Sequence, residues 1–415
     1  MTLWREALEI ILSQVEPRRR AVVGLDSALS MVAAETIVSP EKLPPFDNSA
    51  MDGFAVRAVD CENASLDSPV SLRILEDLPA GCAPNHSLTP RTATRIMTGA
   101  PMPIGSSAVV PVEDTRSGKE TVDILKAIKP KKNVRFAGED IDIGMSILRV
   151  GQVIKPSHIG LLAALGISEI PIFPQVRVAI ITTGSELVDH TEKPGVGQIR
   201  DANLHSLSAQ VRSWGAIPMP FPRICDTRES VELAVNDALE TCDLLLTTGG
   251  VSVGDYDFVK GTLDSVGAKL HFWKVDQKPG GPFGFWTLGE KPFFGIPGNP
   301  VSAMVMAELY LRPAIYKMMG RQNFQPQPIR ANLESGFCKS SNDSKRHFLR
   351  VVAEERQGRW VARLSGPQGS AQLSSICVAN ALAMVPEDAI EIPAGGEVEI
   401  ILIKNSLSID DSNTV

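Results

Sequence analysis

Cysteine is scarce in this 415-residue chain: there are six, at positions 61, 82, 225, 242, 338 and 377. No two stand in CxxC spacing and none has a histidine at metal-ligand spacing, which excludes a disulfide scaffold or a zinc site and reads as a reduced, cytoplasmic protein. No run approaches the ~18 apolar residues that a membrane span requires. The opening MTLWREALEIIL alternates charged with apolar residues and lacks the uninterrupted apolar stretch of a signal peptide. Positive charge is also in short supply, with 41 Lys and Arg against 48 Asp and Glu and a net charge of -7. That balance argues against general nucleic-acid binding, and the short basic clusters at 18–20 and 129–132 read as solvated faces. An acidic chain that handles an anion must gather its positive groups locally.

What is present is a globular composition, 43% hydrophobic and 21% charged, punctuated by 33 glycines and 30 prolines. The length exceeds what one core holds, so two to four domains are expected. Residues 3–15 place Leu3, Ala7, Ile10, Ile11 and Val15 on one helical stripe, and 157–165 predict a second short helix closed by Gly166. Between them VSLRIL, SAVVPVE and TVDIL read as strands parted by Pro/Gly turns, a strand-built insertion. From about residue 171 the pattern becomes strand, helix, strand: VRVAIIT, then a helix carrying Leu204, Leu207, Val211 and Trp214 and stopped by Gly215, then AIPMPF, a helix around 231–240, DLLLTT, and FFGIPGNP leading into VSAMVMAELYL. This alternation predicts an open, mostly parallel sheet with helices on both faces. After PQPI near residue 326, HFLRVVAE, RWVARL, ALAMVP and EVEIILI predict a small all-β domain, and the tail is expected to be disordered.

In an open α/β sheet, ligands bind beyond the carboxyl ends of the strands. Three predicted strands end in unusual turns: TTGSEL (182–187), TTGGVSVGDYD (247–257) and GIPGNPVSA (295–303). Their glycines let backbone amides approach a phosphate, Ser252 adds a donor, and Asp255 or Asp257 offers a carboxylate for a bridging divalent cation. Each turn also has a plainer reading. Pro297 and Pro300 shape a strand-to-helix turn, Asn299 caps the following helix, and Glu186 and Asp226 complement helix dipoles. HFWKVDQKPGGPFGF supplies cations: Lys274 and Lys278 either converge on one anion or sit exposed on a hairpin.

Taken together, PPFDNSAMDGFAV (44–56), RIMTGAPMP (95–103), GEDI (138–141), IGLLAALG, TTGGVSVGDYDFVK and GIPGNPVSAMV resemble the MoeA family, the molybdopterin molybdenumtransferases, whose eukaryotic counterparts include the gephyrin E domain. The resemblance runs in order from the first helix to about residue 404. It implies an α/β and β multidomain protein: a discontinuous helical and linker domain (1–43 and 141–170), a β-rich insertion (44–140), a doubly wound α/β molybdopterin-binding domain (171–325) and a C-terminal β-barrel (326–405), with a disordered tail (406–415) expected outside it. It further implies a homodimer and a Mg²⁺-dependent insertion of molybdenum from molybdate into adenylylated molybdopterin, with release of AMP. The site is expected between the α/β domain of one protomer and the insertion of its partner, which would bring in Asp52, Thr98 and Asp140. By similarity Asp226 and Asp257, with Glu186, hold Mg²⁺ at the pyrophosphate. Lys274 and Lys278 neutralise phosphate or oxyanion charge. Gly249, Gly250 and Ser252 cradle phosphate, and Pro297, Asn299, Pro300 and Ser302 shape the pocket. Arg350 and Ser370, in HFLR and QGS, take the molybdate-proximal places, with Arg346 a competitor for the first. The protein that adenylylates molybdopterin and the molybdoenzyme apoproteins or chaperones are the implied partners.

Two positions depart from the family pattern. KPGGP stands where many members read KPGKP, so Gly281 replaces a lysine, and Ser185 stands where an aspartate is common. Two other functions compete: a pterin carrier or scaffold that keeps the groove without turnover, and a nucleotide hydrolase of the CinA type that shares only the α/β domain. The acids at 52, 140, 226 and 257 speak against the carrier, and the MDG segment and terminal β domain against the hydrolase.

Overall fold

The structure, a computed structural model, describes residues 2–222, 224, 227–249, 258–340 and 342–403, with the backbone alone at residue 258. Its centre is a six-stranded sheet in the order Ile217–Pro220, Arg177–Thr182, Leu244–Thr248, Lys291–Ile296, Gly284–Leu288, Lys269–Trp273. The first four strands run parallel, and the last two join by antiparallel pairings, Gly284–Leu288 on Lys291–Ile296 and Lys269–Trp273 on Gly284–Leu288. The central strands read as unbroken apolar runs because both faces are covered. Val178, Ile180, Leu244 and Leu246 point into one core, with helices Trp4–Ser13, Asn203–Ser213, Pro300–Met306 and Arg312–Met318. Ala179, Ile181 and Leu245 point into the other, against helix Arg228–Thr241. This is the doubly wound arrangement that the strand-helix alternation predicts.

The insertion is a separate six-stranded sheet in the order Ala108–Pro111, Gly53–Val56, Thr92–Ile96, Val70–Leu78, Thr121–Ile124, Thr115–Ser117. Phe54, Val56, Leu72, Val110 and Val122 meet in its core. The two flanking stretches of chain return to each other: Ala21–Gly24 pairs with Glu169–Phe173, and Ile37–Val38 with Ser146–Leu148. Helix Pro156–Ala164 packs on this small β platform through Leu162. The first helix, Trp4–Ser13, belongs elsewhere: its stripe of Trp4, Ala7, Leu8, Ile11 and Leu12 is buried in the α/β core.

At the C-terminal end, strands Arg346–Arg356, Arg359–Leu364, Ile329–Leu333, Gly396–Leu402 and Ala381–Val385 pair in that order, and the last pairs again with the first, closing a five-stranded barrel. One short pairing ties it to the α/β sheet. Gln277–Lys278 runs parallel to the start of the first barrel strand, Gln277 opposite Arg346 and Lys278 opposite His347. Among the described residues no helix is long and apolar enough to cross a membrane.

Glu308 lies in a π turn at Ala307–Leu311, only 2% exposed, with Arg312 3.0 Å away. Burial pushes its carboxyl up to about 7 from the ordinary 4.5, and Arg312 opposes the shift without cancelling it. The folded state therefore holds this proton more tightly than the unfolded chain does. The resulting stabilisation is full below the unfolded value and is lost as pH rises through the folded one. We expect the unfolding free energy of the native chain to fall between about pH 5 and about pH 8, and Glu308→Gln to show a smaller fall. Urea unfolding at the two pH values measures this, and equal falls in both proteins would remove Glu308 as the cause.

Candidate functional site

The register of the central strands sets Thr182 beside Thr248 and Thr248 beside Ile296, so three strands finish level on one edge. The turns that follow are tied together there. Thr183 N donates to Thr248 O at 3.1 Å and Gly249 N to Ile296 O at 3.3 Å. Gly249 has φ +84, and a Cβ on it would lie 2.6 Å from the Thr183 carbonyl oxygen, so only glycine lets these two turns close on each other. Two residues not singled out from sequence complete the staple. Asn203 Nδ2 donates to Gly298 O at 2.7 Å, and the buried Asp201 accepts from Thr182 Oγ1 at 2.5 Å and from Leu204 N at 3.0 Å. An acid just ahead of helix Asn203–Ser213 and an amide at its first position were the available signal.

Beyond this edge, where the α/β sheet meets the barrel, lies a cleft of about 910 Å³. One wall is residues 277–282 with Pro297, Asn299 and Ser302, and the other is Ser340, residues 342–345 and residues 368–370. Pro300 starts helix Pro300–Met306, whose residue Val301 donates its N–H to Ser370 O across the junction at 3.2 Å. Asn299 stands at the cap position but makes no side-chain capping bond, so its amide is left to the cleft. The side chain of Gln277 fixes the floor, donating to Pro279 O at 2.9 Å and accepting from the buried Tyr310 hydroxyl.

Lys278 reaches across the cleft to Asp343, Nζ to Oδ2 3.6 Å. Asp343 also accepts from the Lys345 amide at 3.2 Å and pairs with His347 Nε2 at 2.9 Å. Burial alone would raise the Asp343 carboxyl; the Lys345 amide, His347 and Lys278 outweigh it and hold the group below its ordinary value. Burial lowers the His347 imidazole against the pull of Asp343, so the ring is neutral at pH 7 and its Nε2 donates to the carboxylate. Neither Ser340 nor any of residues 342–345 was singled out from sequence, because this polar stretch looks like any surface turn until the barrel places those residues opposite the sheet.

Five predicted site residues line this cleft: Lys278, Pro297, Asn299, Ser302 and Ser370. Others stand apart from it. Lys274 has φ +88 and is anchored by its backbone, its N–H donating to Phe283 O and its carbonyl accepting from Thr2 N. Arg350 is 1% exposed and lies behind the 368–370 loop. Its guanidinium donates to Ser375 Oγ at 3.2 Å and to the carbonyls of Pro367 and Gly369 at 3.0 and 3.1 Å. Burial pushes it down to about 10, still charged at neutral pH. It therefore presents Ser370 rather than facing the cleft itself. Arg346 is taken up by a two-pronged bond to Glu387 at 2.9 and 2.7 Å.

Asp52 and Thr98 come together on the insertion, Asp52 Oδ1 accepting from Thr98 N at 2.7 Å and from Thr98 Oγ1 at 2.8 Å. Those two bonds hold the exposed carboxyl below its ordinary value. Asp140 is in the same loop cluster: Asn48–Ser49 pairs with Val134–Arg135, and Asp140 N donates to Leu43 O. None of these three lines the cleft of its own chain. Glu186 presents an exposed carboxylate folded over Gly184 at the sheet edge. Asp226, Gly250, Ser252, Asp255 and Asp257 lie outside the described residues. Among the described residues no three acidic, histidine or cysteine side chains gather as a metal site.

A doubly wound sheet with glycine turns at its carboxyl edge, opening onto a cleft of two lysines, hydroxyls and amides closed by a β-barrel, defines a protein built to hold phosphorylated or oxyanionic ligands where domains meet. Comparison with known proteins makes this specific. Residues 3–166 match the MoeA N-terminal region (domain I and II), 179–317 the "Probable molybdopterin binding domain", and 337–403 the MoeA C-terminal region (domain IV). The chain is 38% identical over 403 residues to molybdopterin molybdenumtransferase 2 of Mycobacterium tuberculosis, covering 95% of this chain and 98% of that one. It is 33% identical over 407 residues to the molybdopterin molybdenumtransferase of Staphylococcus aureus, covering 98% and 97%. A crystal structure of a molybdopterin biosynthesis MoeA protein from Pyrococcus horikoshii superposes with a TM-score of 0.83 at 28% identity, covering 97% of this chain and 99% of that one. The chain belongs to the MoeA family of molybdopterin molybdenumtransferases, enzymes of molybdenum cofactor biosynthesis.

Proposed function

We propose that this chain inserts molybdenum from molybdate into adenylylated molybdopterin, with Mg²⁺ present and AMP released. The observation that carries the reading is the cleft itself. It joins the turn of Pro297 and Asn299, which packs on Gly249 through Gly298, to Lys278 on the same wall and to the Ser370 hydroxyl on the barrel side. Two anions brought together repel, and cations and N–H dipoles in one partly enclosed site offset that repulsion. The pterin phosphate is assigned to the sheet edge and molybdate to the barrel side. Lys278 stands between the two, while Arg350 keeps Ser370 in position.

Asp226, Asp257 and Glu186 are the residues that would hold Mg²⁺, and the exposed carboxylate of Glu186 at the sheet edge has the oxygen chemistry such a hard cation requires. When bound, Mg²⁺ supplies charge neutralisation at the pyrophosphate. The dimer is part of the proposal. Asp52, Thr98 and Asp140 do not line the cleft of their own chain, and in this reading the insertion of one protomer serves the cleft of its partner. The adenylylating protein would deliver the substrate, and molybdoenzyme apoproteins or chaperones would take the product, in the cytoplasm.

Incubating the purified chain with adenylylated molybdopterin, molybdate and Mg²⁺ tests the reading. AMP release coupled to formation of active cofactor is expected, and Asp257→Ala is expected to abolish it with the fold intact. Pterin binding without AMP release would show a carrier instead.

A further inference from the structure

Gly281 stands in the cleft wall where the family pattern often has a lysine, and the structure brings another ammonium close to this position. A Cβ added at Gly281 would meet only ordinary contacts, 3.5 Å from Gln277 O and 3.6 Å from Val275 O, and the next nearest atom is Lys345 Nζ at 4.0 Å. Lys345 comes from the barrel side, on the opposite wall of the same cleft. Its backbone is fixed by the bond from its N–H to Asp343 and by the strand pairing that begins at Arg346.

Charge bookkeeping sets Lys345 apart from its neighbours. Lys278 is paired with Asp343, Arg346 with Glu387, and Arg350 with loop carbonyls. Among the described residues no carboxylate lies within ion-pairing distance of Lys345 Nζ. Asp343 is the nearby acid, and it is already engaged by Lys278 and His347. Lys345 is half-buried, has no carboxylate partner among the described residues, and shares the cleft lining with Ser344 and Ser370, an arrangement suited to receiving an anion.

We infer that Lys345 is the oxyanion ligand of this cleft, supplying from the barrel the positive charge that residue 281 lacks. The inference rests on the proposed function and deepens it. Molybdate would be gripped between Lys345 and Lys278, one cation from each wall, so that binding depends on the barrel being seated against the sheet.

Titrating inorganic molybdate into the purified full chain by calorimetry tests this without requiring turnover. Lys345→Ala is expected to weaken molybdate binding about 10- to 100-fold, the scale of a lost charge-assisted hydrogen bond. Lys345→Arg keeps the charge and is expected to stay within about threefold of the native chain. Gly281→Lys in the Lys345→Ala background is expected to restore binding, because residue 281 opens into the same space. Native-like binding by Lys345→Ala, failure of Gly281→Lys to rescue, or no molybdate binding by the native chain would each overturn the assignment. A native chain that binds molybdate through Lys345 and yet forms no cofactor would instead overturn the proposed function and leave this assignment standing.

Discussion

Lys278→Ala is expected to lower kcat/KM for molybdenum insertion by about 100- to 1,000-fold, the loss that follows removal of a preorganised group aimed at developing negative charge. Its side chain is 61% exposed, and its one ion pair among the described residues reaches across the cleft to Asp343. Folding therefore gains little from it, and the urea midpoint should shift by no more than about 0.5 kcal/mol equivalent. The strand pairing at Gln277–Lys278 fixes the backbone on both sides, so the ammonium is carried at the seam of sheet and barrel whatever the state of the solvent-facing loops. Steady-state kinetics with molybdate varied separate the contributions: a fall in kcat marks a group that acts as charge develops, whereas a rise in KM alone marks simple anion capture. A variant with native kinetics would remove Lys278 from the site.

Gly249→Val should affect both fold and activity. The native backbone at this position is left-handed, which costs a β-branched residue about 1–3 kcal/mol. The new Cβ would also lie 2.6 Å from the Thr183 carbonyl oxygen, so the 182–187 and 247–249 turns must part. Displacing these turns by about 1 Å is enough to cost roughly 100-fold in turnover. Chemical unfolding and the cofactor-forming assay together check this. Retained activity at native stability would show that the closeness of the two turns is not needed.

The sheet edge was legible because its signals are local. Apolar runs, a helical stripe and glycine turns each occupy a few consecutive residues, and the α/β winding brings the turns to one side wherever the helices pack. The closed barrel was legible as four strand-like runs, with the closure itself following from the resemblance. What stayed hidden was set by distant pairings. Nothing near residues 342–345 says that they will line a cleft with KPGGP, a juxtaposition that follows from the pairing of Gln277 with Arg346. The direction of Arg350 was illegible for a related reason. Residues 347–351 are buried on both sides of their strand, so alternation gives no clue to which side chain faces a ligand. Trp4–Ser13 showed its apolar stripe plainly, but the core that receives it is built more than a hundred residues later.

Lys278, Lys345 and Ser370 line one cleft, at the seam of sheet and barrel. Crystals soaked in tungstate, an oxyanion of the same shape and charge as molybdate, give an anomalous difference map that locates the metal directly. A peak within hydrogen-bonding reach of both ammonium groups and the Ser370 hydroxyl is the predicted result. A peak at another surface with the seam empty, at a concentration that saturates binding in solution, would contradict the account.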